Sequence, residues 1–276
     1  MRLTSRLLAG LALYLVLPVA ISLLAFGQLA VTTPTPPPTG TPNATATVQW
    51  LAQAKSRAEE LYSAGLTAYQ SGDFTTALTH FQAAIALVPD NANWHNSLAL
   101  TLTQLGRPDE AVGEYQKSIA LDPGLAEAYY NLGAIYQSQG KADKAVAAYQ
   151  AAIATRPEFA LAYNNLGAVY IDLGRTDNAI NAYLKATTLN PALAAAHLNL
   201  SAAYAKQGDF EKAAAELEIV IQLEPDAVEA YYNLGLVRAR RGETAQAKVA
   251  FEQVLLLAPQ SDWARQASAQ LKQIGP

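Results

Sequence analysis

The chain has 276 residues, a formal net charge of −4, 51% hydrophobic residues and no cysteine. An acidic balance with a pI near 5.4 argues against a nucleic-acid partner, which requires a basic stripe able to displace counterions. The lack of cysteine excludes disulfides, thiolate metal sites, a cysteine nucleophile and a lipid-modified cysteine anchor.

Residues 1–6 form a short flank carrying Arg2 and Arg6, followed by an apolar run from Leu7 to Phe26 without a charged side chain. About 20 such residues cross a bilayer as a helix, so a transmembrane anchor is predicted within residues 7–30, with Pro18 tolerated as a kink. A cleavable signal segment is the alternative, with Ala25 and Gly27 as the small residues of its cleavage site. Basic residues beside a span stay in the cytoplasm, which places the amino terminus inside and all that follows on the non-cytoplasmic side. After cleavage the chain would be secreted or periplasmic. Residues 31–47 are rich in threonine and proline and uncharged, the composition of an extended, semi-rigid linker.

From Thr47 onward the pattern turns helical, and residues 48–276 read as one repeat domain. Pro89, Pro123, Pro157, Pro191, Pro225 and Pro259 recur at an interval of 34 residues. Gly72, Gly106, Gly140, Gly174, Gly208 and Gly242 keep that interval, and so do Ala77, Ala111, Ala145, Ala179, Ala213 and Ala247. A fixed period of this length is the mark of a solenoid of stacked units. The units are 58–91, 92–125, 126–159, 160–193, 194–227 and 228–261, without insertion. In each, one amphipathic helix runs up to the glycine and a second runs from beyond it towards the proline, so the two lie antiparallel. Gly65, Ala99, Gly133, Gly167, Ser201 and Gly235 are small residues in mid-helix, where glycine costs about 1 kcal/mol of propensity, and a close helix contact is expected there. After Ser261, the stripe of Trp263, Ala267, Leu271 and Ile274 predicts a capping helix over 262–276.

The spacing of Tyr129, Leu132, Gly133, Tyr136, Ala145, Tyr149, Ala152 and Pro157 resembles the tetratricopeptide repeat, and the resemblance covers residues 58–261. It implies an all-α, right-handed superhelical solenoid whose first helices line a concave groove for a partner's peptide segment. The groove positions it implies are Asn131, Asn165, Asn199 and Asn233, preceded by Tyr130, Asn164, Leu198 and Tyr232, with Ala134, Ala168, Ala202 and Leu236 one turn later. An asparagine amide offers both a donor and an acceptor, which suits a peptide group. The same amides also suit bonds within the solenoid, and the sequence leaves both uses open. Repeats 1 to 4 put no lysine or arginine on this face, so a clamp for a terminal carboxylate is not expected.

No catalytic constellation is legible, and neither a cofactor nor a metal is expected. His80, His95 and His197 are the only histidines, and none is spaced as a helical metal pair. His197 stands in an aromatic slot of its repeat, as a packed, hydrogen-bonded histidine would. There is no phosphate-binding G-x-x-x-x-G-K-[ST] loop. Two functions remain: a membrane-tethered adaptor or assembly scaffold that binds a protein or peptide in its groove, and a structural element that self-associates or joins a cell-envelope complex through its convex face or ends. The oligomeric state is left open between them.

Overall fold

The computed structural model describes residues 44–275, which contain thirteen helices and no strand. The apolar run and proline-rich stretch before Ala44 lie outside the described residues, and among those described no helix is long and apolar enough to cross a membrane.

Six helix pairs follow one another: α1 (Ala44–Gln70) with α2 (Phe74–Leu87), α3 (Ala92–Gln104) with α4 (Pro108–Leu121), and α5 (Ala126–Ser138) with α6 (Ala142–Thr155). Then come α7 (Ala160–Asp172) with α8 (Thr176–Leu189), α9 (Ala194–Gln207) with α10 (Phe210–Leu223), and α11 (Val228–Arg240) with α12 (Thr244–Leu257). A single helix, α13 (Asp262–Gln273), closes the series. Each first helix packs on its own second helix, and each second helix packs on the first helix of the next unit.

The turns repeat as faithfully as the helices. Gly72, Gly106, Gly140, Gly174, Gly208 and Gly242 all have φ between 69° and 88°, the left-handed region that a Cβ makes costly. After each of them a backbone N–H reaches back five residues to a carbonyl, as Asp73 to Ala68 at 2.9 Å and Arg175 to Tyr170 at 2.8 Å, which closes the first helix. At the other end of the unit, the residue before each proline leaves the helix with φ between −132° and −143°, the region that a following proline imposes.

The small residues in mid-helix are where the helices of one pair meet. A Cβ added at Gly65, Gly133, Gly167 or Gly235 would come within 2.6–2.8 Å of a ring carbon of Phe81, Tyr149, Tyr183 or Phe251 respectively. The rings are buried, and the alanine that keeps the same period on the second helix is fully buried in every unit. The unit with Ser201 has Leu217 where the others carry a ring, so the slightly larger small residue goes with a smaller partner.

Two ends differ from the middle. Helix α1 starts at Ala44, three residues before the expected Thr47, because Ala44-Thr45-Ala46 contains nothing that stops a helix once the prolines end. At the other end α13 covers the last pair as a cap: Trp263 lies 5.1 Å from the Tyr232 ring, and Ala267 is fully buried against the cluster of Tyr232 and Phe251.

Candidate functional site

The first helices of successive units touch, as α5 with α7, α7 with α9, and α11 with α13. Residues at one position of these helices therefore form a row along the array. The sixth residues of the units are Ser63, Ser97, Asn131, Asn165, Asn199 and Asn233, and the fifth are Tyr62, Asn96, Tyr130, Asn164, Leu198 and Tyr232. All four asparagines of the sixth position are half-buried, and Asn164 is buried at 9% exposure.

The structure joins these two positions by a recurring bond. The fifth residue of one unit meets the sixth of the next: Tyr62 Oη and Ser97 Oγ lie 2.9 Å apart, Asn165 Nδ2 donates to Tyr130 Oη at 3.0 Å, and Asn199 Nδ2 donates to Asn164 Oδ1 at 3.0 Å. The middle of the row is linked further, since Asn164 Nδ2 donates to Asn165 Oδ1 at 3.2 Å and Asn165 Nδ2 also approaches Tyr149 Oη at 3.4 Å. Tyr149 Oη in turn donates to Gln137 Oε1 at 2.9 Å. Burial pushes the Tyr149 phenol well above its ordinary value, nearby Tyr130 adds to this, and the Asn165 bond offsets part of it.

At two steps the bond is missing. Leu198 has no polar atom to offer Asn233, and Asn96 and Asn131 make no side-chain hydrogen bond, with Asn96 Oδ1 buried and unpartnered. Of the four asparagines in the row, then, Asn165 and Asn199 spend their donors on the solenoid, whereas Asn131 and Asn233 keep theirs. Tyr130 belongs to the bonded step, and Tyr232 is buried beneath the cap, 5.7 Å from the Phe251 ring. Ala134 and Ala168 are half-buried, and Ala202 is exposed.

Sequence reading missed which amides are tied, because the partner sits 35 residues away and its identity at the fifth position decides the matter. It also missed what the two buried histidines do. His95 Nε2 donates to Pro89 O at 2.8 Å, and His197 Nε2 to Pro191 O at 3.1 Å, which fastens each first helix to the turn before it. Their Nδ1 atoms lie 2.6 Å from Glu114 Oε2 and Glu216 Oε2. With both ring nitrogens engaged, neither histidine is open to a metal, and no group of three metal-ligating side chains occurs among the described residues. The signal was present in the sequence: both histidines precede a glutamate by 19 residues.

Four family models match, and they overlap along the chain. Models described as tetratricopeptide repeat cover residues 62–126, 114–147 and 200–272, and one described as TPR repeat covers 135–174 and 169–208. No curated protein matches the sequence. Among solved structures the chain is similar to MamA at 30% identity and a TM-score of 0.55, over 60% of this chain and 96% of that one. It is also similar in fold to PilF of Pseudomonas aeruginosa, at 20% identity and a TM-score of 0.68, over 80% and 99% of the two chains. A third is YrrB, a TPR protein with an unusual peptide-binding site, at 23% identity and a TM-score of 0.60 over 68% and 97%.

Proposed function

Because the chain belongs to the tetratricopeptide repeat family, its repeats matched from residue 62 to residue 272, we propose that it is a non-catalytic scaffold that holds an extended segment of a partner protein along its first helices. The observation that carries this reading is the pair of uncommitted amides, Asn131 and Asn233. Each offers a donor and an acceptor to a peptide group, at a helix position whose other two asparagines, Asn165 and Asn199, are already bonded. The peptide-binding site named for YrrB lends the reading support by analogy of fold alone.

The scaffold is tethered, in this reading, by the apolar run within residues 7–30, with its amino terminus in the cytoplasm and the repeats on the other side. Intact mass checks the tether: a mature chain that begins at residue 28 would replace it with a secreted or periplasmic protein. Affinity checks the groove. Asn131→Ala combined with Asn233→Ala should weaken binding to a peptide array by about 1–3 kcal/mol while the melting temperature holds. Unchanged binding would remove the groove from consideration.

One observation favours a second reading, in which the array self-associates or joins an envelope assembly through its outer side. Leu121, Leu189, Leu223 and Leu257, the last residues of their helices, are 39–40% exposed at the same position of four units. A molecular mass that rises with concentration would support that reading.

A further inference from the structure

We propose that the junction between the second and third units is the joint of the array, about which residues 58–123 and 126–275 turn as two blocks. Three features meet there and at no other junction. The bond between fifth and sixth residues is absent, although both residues are asparagines able to make it, and Asn96 Oδ1 is left buried without a donor. At the junction of the fifth and sixth units the bond is also absent, but Leu198 is apolar and packs into the neighbouring core, so nothing there is left unsatisfied. A buried acceptor without a donor is a standing cost that any movement exposing it to water relieves.

The second feature is the helix interface. Helices α4 and α5 share less contact than any other second helix and the first helix that follows it. The third is the turn. Gly124 follows Pro123, whereas the equivalent residues of the other units are Asp90, Glu158, Ala192, Asp226 and Gln260. Gly124 N–H is held by Asp122 Oδ1 at 2.8 Å, and once that bond opens glycine leaves the backbone between the two blocks the widest choice of conformations.

The blocks stay attached. Ala111 and Tyr115 of α4 share one core cluster with Ala128 and Leu132 of α5, so the interface is thin and continuous. Gln139 Nε2 donates to Asp109 Oδ1 across this junction at 3.1 Å, but Gln207 makes the same bond to Asp177 at 2.9 Å across a later one, and it therefore does not set this junction apart. The consequence for the row is that Asn131 stands at the joint, so turning the blocks changes its distance from the residues before it. This inference does not depend on the groove's binding a peptide.

The absence of cysteine makes the test direct. Nitroxide labels on Thr79→Cys with Ala147→Cys, in the full-length chain, span the joint, and labels on Ala147→Cys with Ala215→Cys span two other junctions at the same separation of 68 residues. All three positions are exposed and equivalent in their units. Pulsed dipolar spectroscopy should give a distance distribution about twice as broad for the first pair, and equal widths would overturn the joint. Asn96→Tyr supplies at this step the side chain that Tyr130 supplies at the next, and it should narrow the first distribution; an unchanged width would overturn the missing bond as its cause. Hydrogen exchange in the unmodified chain gives an independent reading. The amides of Leu125 and Ala126 should exchange about tenfold faster than those of Phe159 and Ala160, and equal rates would also overturn the proposal.

Discussion

Two stretches of the row, built from the same residue type on the same helix position, behave differently. Between the third and fifth units the asparagines hold one another and two tyrosines, so the surface is a closed polar network. Between the second and third units, and again between the fifth and sixth, the amides are open. The difference comes from the residue just before: Tyr130 and Asn164 present an oxygen to the next unit, Leu198 presents none, and Asn96 has one that nothing meets. A periodic asparagine is thus glue at one step and an uncommitted amide at another, and repetition alone does not separate the two.

Alkaline titration reaches the closed stretch through the buried phenol on which its network ends, and acts on two other buried phenols as well. Burial raises the pKa of Tyr115, Tyr149 and Tyr183, so all three stay neutral in the folded chain while their unfolded counterparts ionise. Their contribution is fully present below pH about 10 and is lost as pH rises beyond it, at about 1.4 kcal/mol per pH unit for each phenol. Melting followed from pH 9 to 12 should show that slope, and Tyr149→Phe should make it shallower.

Next in size is Asn165→Ala combined with Asn199→Ala. The pair removes the bonds of two steps and leaves the buried Asn164 carbonyl oxygen without its donor, for a loss of about 1–3 kcal/mol in urea unfolding. A smaller gain is expected from Leu198→Tyr, which gives Asn233 a partner of the kind Asn165 already has. About 0.5–1.5 kcal/mol of added stability, with weaker peptide binding at that step, would carry the closed chemistry into the open stretch. The smallest effect belongs to Asn131→Ala, whose amide bonds to nothing in the fold. Its unfolding free energy should stay within about 0.5 kcal/mol of the parent, and a larger loss would erase the distinction between the stretches.

The sequence made the architecture legible because glycine, alanine and proline each answer one local demand that recurs every 34 residues. A left-handed turn needs the glycine, a close helix contact needs the alanine, and a helix stop needs the proline. Asn131, Asn165, Asn199 and Asn233 were visible as a row for the same reason. Which of them are committed was not, since that depends on side chains one unit away whose contact requires the stacking geometry. His197 was legible as a packed histidine, but its attachment to Pro191 and Glu216 required the turn and the second helix to be in place. The start of α1 was misplaced by three residues because alanine and threonine carry only weak information about where a helix begins.

The glycines pressed against aromatic rings give the array a spectroscopic address for single units. Gly65, Gly133, Gly167 and Gly235 each lie so close to a ring that its circulating π electrons must displace their α-proton resonances from the usual glycine range. These four units would thereby report their own folding in one proton spectrum, by signals that return to ordinary frequencies as each ring departs. Units two and five, with Ala99 and Ser201 in that place, would give no such displaced glycine signal. An array that melts from one end, or parts at a joint, would lose these four signals in sequence, and a cooperative one would lose them together.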